Sequence, residues 1–159
     1  MSFRIGHGYD VHQLEDGLPL IIGGVNIPFS KGIVAHSDGD VLLHSIIDAL
    51  LGATGLGDIG QLFPNDKKWE NGSGMDMLKI TLNHIYEKQS NFEIINIDST
   101  IILQQPKMLD FKDLMKKNIA QILNINKDLI SVKATTTDKL GFIGNSSGIA
   151  AEVVCLVKI

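Results

Sequence analysis

Cysteine is nearly absent: Cys155 is the single one in 159 residues. That excludes an intrachain disulfide and points to a reducing compartment. Lying in the run Val153-Val154-Cys155-Leu156-Val157, the thiol reads as a small hydrophobe. No stretch approaches the roughly 18 consecutive apolar residues of a membrane span. The opening Met1-Ser2-Phe3-Arg4-Ile5-Gly6-His7 lacks a charged segment followed by an apolar one, so no secretory leader is expected. Positive charge is scarce as well, with 14 Lys and Arg against 18 Asp and Glu and a formal net charge of -4. This balance excludes the basic field that draws a protein onto nucleic acid or an anionic membrane. A phosphate bound here has to be handled locally, by metal or by backbone amides. Internal repeats, low-complexity tracts and coiled-coil heptads are missing too, which removes solenoids and long coiled coils. These absences lead us to expect a soluble, cytoplasmic protein with neither nucleic acid nor membrane as partner.

What is present suits one compact domain over residues 1–159, 44% hydrophobic and long enough to bury a core. Residues 3–12 alternate like a strand, and residues 20–27 read as two short strands around Gly23-Gly24. From Asp40 to Leu51, apolar residues at helical spacing leave Asp40, His44 and Asp48 four residues apart on one polar stripe. Glycines at 52, 55 and 57 suit the end of that helix. After a polar, glycine-bearing loop to about Gly74, the spacing predicts helices over 75–88 and 111–123 and strands over 94–103, 130–136 and 149–157. The expected fold class is α+β: a two-layer sandwich, a mixed sheet with helices on one face.

Asp10-Val11-His12 is an Asp-x-His pair whose period of two sends both polar side chains to one face of a strand. Imidazole and carboxylate together suit zinc, and a catalytic zinc takes three protein ligands while keeping one position open. His44 is the natural third. The competing reading is a hydrogen-bonded pair with no metal. His7 and His36 compete for the third position, although His7 differs from Asp10 by an odd number and would face the other side. Asp48 could orient the His44 imidazole or be a solvated helix charge. Ser37 or Asp38 could cap the first helix, whose free amides favour an anion. Thr135-Thr136-Thr137-Asp138-Lys139 offers hydroxyls, a carboxylate and an ammonium suited to phosphate and magnesium, or is simply a strand rich in β formers.

Taken in order, residues 6–12 (GHGYDVH), 35–44 (AHSDGDVLLH), 57–60 (GDIG), 106–109 (PKML) and 133–142 (KATTTDKLGF) resemble the 2-C-methyl-D-erythritol 2,4-cyclodiphosphate synthase family of non-mevalonate isoprenoid biosynthesis. The likeness runs from Arg4 nearly to the C-terminus. It implies a homotrimer with active sites between subunits. It also implies a reaction in which the 2-phosphate of 4-diphosphocytidyl-2-C-methyl-D-erythritol 2-phosphate attacks the β-phosphate of its own diphosphate and expels CMP. By position, Asp10, His12 and His44 resemble the zinc ligands, and Asp138 resembles the residue that helps hold a second ion, Mg2+ or Mn2+. His36 and Thr136 resemble the groups that stabilise the transition state, with Ser37 beside them. Asp58 resembles the ribose-binding residue, Gly60 and Phe63 resemble contacts to the methylerythritol part, and Ile59 beside them is an implied substrate contact. Leu103, Lys107, Met108 and Leu109 resemble the cytosine pocket and its phosphate edge. Thr135, Thr137 and Phe142 complete the implied substrate contacts. The chain departs from the family pattern at Asp138, where many relatives have Glu, at Asn65-Asp66-Lys67, and at Asn145, where some have an arginine. Two other functions fit the same metal residues: a zinc-dependent phosphohydrolase, and a non-catalytic nucleotide- or metal-binding trimer.

Overall fold

The computed structural model describes residues 2–70 and 72–159. Its elements run β1 (Phe3–Asp16), β2 (Leu20–Ile22), β3 (Val25–Ile27), β4 (Lys31–Val34), α1 (Val41–Thr54), α2 (Ile59–Leu62), α3 (Gly74–Lys88), β5 (Glu93–Ile102), α4 (Lys112–Leu123), β6 (Ile130–Thr135), α5 (Gly141–Gly144) and β7 (Gly148–Lys158). Five strands form one sheet in the order β4-β1-β7-β5-β6, and β2 pairs with β3 beside it. Only β5 and β6 run parallel, a pairing that requires a crossover, and α4 is that crossover. The sheet is therefore mixed, as expected.

Parity along β1 decides what lies where. Gly6 and Gly8 pair with Cys155 and Val153 on β7, on the face that α1 covers. A β-carbon at either glycine would overlap a carbonyl of α1, that of Ala49 at Gly6 and that of Ser45 at Gly8. Side-chain-free positions thus let the helix axis settle directly on the sheet. The contact is closed by Ser45, whose hydroxyl donates to the Ala151 carbonyl of β7 at 3.0 Å. The apolar stripe of α1 is wider than an amphipathic surface helix needs, because α3 packs on it from the outer side: only Asp48 and Gly52 of its residues escape burial.

Asp40 caps α1, accepting from the amide of Leu43, in place of the expected Ser37 or Asp38. The reason is tertiary: the Asp40 carboxylate also receives the amides of Gly23 and Gly24 at 2.9 and 2.8 Å, tying the β2–β3 turn to the helix start. Three short elements were not expected. β4 exists because the end of β1 pairs with it, and α2 and α5 are single turns of four residues with no apolar periodicity to announce them. No helix among the described residues is long and apolar enough to cross a membrane.

Candidate active site

The odd-even rule on β1 and the first turn of α1 bring three ligating side chains together. Oδ2 of Asp10 lies 3.1 Å from Nε2 of His12 and 3.1 Å from Nδ1 of His44. Ligand atoms of the three all fall within 4.8 Å of one another. In tetrahedral zinc, with bonds near 2.0–2.1 Å, neighbouring ligand atoms stand about 3.3–3.4 Å apart. The two Asp10 distances come near that value, and two nitrogens with one carboxylate oxygen is a zinc-type donor set, so these residues fit a divalent metal. Among the described residues this is the one such cluster.

The surroundings prepare the ligands. Nδ1 of His12 is 3.3 Å from the Val34 carbonyl on β4. A carbonyl can only accept, so Nδ1 carries the hydrogen and leaves the Nε2 lone pair for a metal. Nε2 of His44 faces the Ser37 hydroxyl at 3.4 Å. Burial works to raise the Asp10 pKa, but hydrogen bonds to His12 and His44 and their positive charge outweigh it and hold the carboxyl down at about 2. The carboxylate is thus charged across the physiological range, as a ligand must be. For His12, the Asp10 hydrogen bond raises the pKa against the opposing effect of burial.

Two of the competing readings are settled by position. His7 lies on the opposite sheet face, bonded to Glu152 at 2.9 Å, as its odd spacing required. Asp48 does not orient His44; its Oδ1 receives the amide of Ile59 at 2.7 Å and so anchors the start of α2 beside the metal cluster. Burial, with the charges of Asp58 and Asp10, raises the Asp48 pKa. Asp58 caps α2 by accepting from Gln61 at 2.9 Å.

A cavity of about 240 Å³ opens over the cluster. It gathers Asp10, His12, His36, Ser37 and His44 with Ile59, Gly60 and Phe63. Nε2 of His36 bonds the Asp66 carbonyl at 2.8 Å. Trp69, unremarked in the sequence, also lines the cavity and stacks edge-on against Phe63 at 4.8 Å. As the only tryptophan, set in a polar loop, it carried a signal that could have been followed.

The remaining expected residues lie elsewhere. Leu103, Lys107, Met108, Leu109, Thr135 and Thr136 line a second cavity of about 220 Å³, which Gln104 and Lys112 also enter. Its edge strand β6 is separated from β1 by β5 and β7, about 14 Å at the usual strand spacing. Thr137 donates to the Leu140 carbonyl at 2.7 Å. Asp138, at φ 51°, accepts from the Thr136 hydroxyl at 3.3 Å. Phe142 is half exposed, its ring near Gly148. Within one chain, then, the metal cluster and the threonine segment line two separate cavities.

Residues 3–158 match the model of the YgbB family. A relative from Clostridium kluyveri, named 2-C-methyl-D-erythritol 2,4-cyclodiphosphate synthase, is 54% identical over 155 residues, 97% of this chain and 93% of its own. Among solved structures, the bifunctional IspDF of Campylobacter jejuni superposes at a TM-score of 0.93 and 46% identity over 99% of this chain, which spans only 42% of that longer protein. The IspF of Plasmodium falciparum, solved as a CDP complex, superposes at 0.85 with 38% identity, covering 98% of this chain and 96% of its own. With the motifs, the metal cluster and near-complete coverage in agreement, this chain belongs to the YgbB family, that of the 2-C-methyl-D-erythritol 2,4-cyclodiphosphate synthases.

Proposed function

We propose that the chain cyclises 4-diphosphocytidyl-2-C-methyl-D-erythritol 2-phosphate to 2-C-methyl-D-erythritol 2,4-cyclodiphosphate with release of CMP. The observation that carries this reading is the Asp10–His12–His44 cluster at the floor of a cavity, in a chain matched along nearly its whole length by synthases of that name. The nucleophile is already a phosphate anion on the substrate itself, so the protein needs no general base. Its work is to fold the substrate, hold charge and align attack on the β-phosphorus. The bond from the 2-phosphate oxygen to the β-phosphorus forms as the bond to the α-phosphate oxygen breaks, and CMP departs with that electron pair.

Asp10, His12 and His44 would hold Zn2+, which when bound supplies positive charge to a phosphate oxygen. His36 and Ser37 line the same cavity and offer donors to the phosphates. Asp58 would accept from the ribose hydroxyls, while Ile59, Gly60 and Phe63 would bound the methylerythritol carbons. Leu103, Lys107, Met108 and Leu109 would hold cytosine, with Thr135, Thr136, Thr137 and Phe142 closing around the diphosphate. Thr136 would steady the transition state, and Asp138 would help hold a second ion, Mg2+ or Mn2+, whose charge would offset that of the diphosphate.

These two half-sites can serve one substrate if they come from neighbouring subunits of a homotrimer. The sheet face away from the helices supports that assembly, because Phe3, Ile5, Tyr9, Val11 and Val154 all present exposed apolar side chains there. The free thiol of Cys155 and the water-soluble nucleotide substrate suit a cytoplasmic enzyme. The test is phosphorus NMR of the reaction with Zn2+ and Mg2+. The cyclic diphosphate and CMP are expected in equal amounts; a linear hydrolysis product would favour a phosphohydrolase, and bound nucleotide without turnover a binding protein.

A further inference from the structure

The cavity over the metal cluster has two walls that come from different parts of the chain. Ala35, His36 and Ser37 form one; Phe63, Pro64, Asn65 and Trp69 contribute the other. Between them stands Asp38, half-buried and not itself lining the cavity. Its amide donates to the Gly72 carbonyl at 3.0 Å. Its Oδ2 accepts the amide of Gly74, the first residue of α3, at 2.8 Å, and its Oδ1 accepts the amide of Asp40 at 3.2 Å. The residue thus links the chain just before α3 to the start of α1, its backbone reaching Gly72 and its side chain reaching Gly74 and Asp40.

The turn that carries Asp38 also reaches the metal cluster. Ser37, which accepts from Gly39 at 3.2 Å, faces Nε2 of His44 at 3.4 Å. The fit at Gly74 is tight: a β-carbon there would stand 3.1 Å from Cβ of Asp40 and 3.3 Å from Oδ1 of Asp38. Among the described residues, the hydrogen bonds between positions 35–38 and 63–74 are that of His36 to the Asp66 carbonyl and those of Asp38 to Gly72 and Gly74.

We propose that Asp38 is a positioning residue, which sets the wall bearing Phe63 and Trp69 at its working distance from the metal cluster and thereby governs substrate affinity. This rests on the cyclodiphosphate synthase reading for its substrate, though the clamp itself can be probed without substrate. A carboxylate accepting two backbone amides holds them more strongly than a neutral acceptor, and removing it leaves both amides without a partner. Since the wall contacts substrate in the ground state and the transition state alike, its loosening raises KM and spares kcat.

The experiment compares zinc-loaded wild type, Asp38→Ala and Asp38→Asn by steady-state CMP release and by acrylamide quenching of Trp69, the sole tryptophan. For Asp38→Ala, KM rises about tenfold or more, the scale of a lost charged hydrogen bond, with kcat and zinc content near wild type. Trp69 becomes more open to the quencher. Asp38→Asn, which keeps the shape and one acceptor oxygen, falls between the two, and it carries the test with the same readouts if the alanine variant does not fold. Wild-type KM and quenching in the variants would overturn the proposal, as would a fall in kcat with KM and quenching unchanged. A wild-type protein that releases no CMP would sink the assigned reaction, while the quenching comparison still decides the clamp.

Discussion

Oδ2 of Asp10 lies 3.1 Å from Nδ1 of His44, so one carboxylate oxygen ties the middle of β1 to the first turn of α1. The same oxygen meets Nε2 of His12 at 3.1 Å. Without metal, the carboxylate offsets two imidazoles; the same three side chains would hold a divalent ion. Removing His44 takes one of three ligands and leaves an incomplete donor set. His44→Ala is expected to lose bound zinc and CMP release together, read by metal analysis of the purified protein beside the activity assay. Zinc content equal to wild type would show that His44 is not a ligand.

The close seat of α1 on the sheet gives a sharp test of the fold. In Gly8→Ala the new methyl overlaps the Ser45 carbonyl, which belongs to a helix buried between the sheet and α3, so neither partner can yield cheaply. The expected loss is more than about 3 kcal/mol in denaturant unfolding, the range of core overpacking combined with backbone displacement. Gly52→Ala is the control. A β-carbon there meets nothing within 4 Å, and in a helix it should stabilise by about 0.5–1 kcal/mol.

Much of this architecture was legible beforehand, and the failures share one cause. Period and parity gave the main strands and helices, and the odd spacing of His7 placed it on the far face, where Glu152 holds it. The cap of α1 was not legible: Ser37, Asp38 and Asp40 are all good N-cap residues. The choice fell to Asp40 because the amides of Gly23 and Gly24, far along the chain, needed an acceptor there. Asp48 sits at helical spacing from His44, yet its partner is the Ile59 amide, delivered by the return of the chain into α2. Sequence order likewise did not show that the metal cluster and the threonine segment line separate cavities, since β6 lies at the far edge of the sheet from β4 and β1. Local rules reached the elements; the partners brought by tertiary folding they could not reach.

Asp40 also makes a statement about pH. Complete burial, with the nearby charge of Asp38 adding to it, pushes its carboxyl up to about 6 against the three amides that favour the charged form. The unfolded value is about 4. Between these values the folded state binds more proton than the unfolded, so the contribution of Asp40 to stability falls as pH rises from about 4 to about 6, and is flat above. Asp40→Asn cannot ionise and turns an NH2 toward an amide donor, so it should be less stable than wild type. Its deficit should be largest near the lower end of that window and narrow toward the upper end, measured by thermal unfolding in matched buffers. A deficit that widens with rising pH would contradict the raised carboxyl.

The last test separates assembly from metal binding. Ile5 is 74% exposed on the sheet face opposite α1, and Phe3, Tyr9 and Val154 extend the same apolar surface. Leaving that surface in water forfeits roughly 25 cal/mol for each Å² that a neighbour would cover. Ile5→Arg puts a charge at its centre, where burial without a partner costs several kcal/mol, enough to dissociate a trimer at micromolar concentration. The variant should sediment as a monomer. Since Ile5 faces away from Asp10, His12 and His44, the isolated subunit should keep its zinc. If each site is built by two subunits, as proposed above, CMP release should nevertheless collapse, because the threonine segment would have left with the neighbouring subunit. A monomeric variant with full activity would show that one chain brings both cavities to one substrate by itself, and a variant that stays trimeric would move the interface to another face.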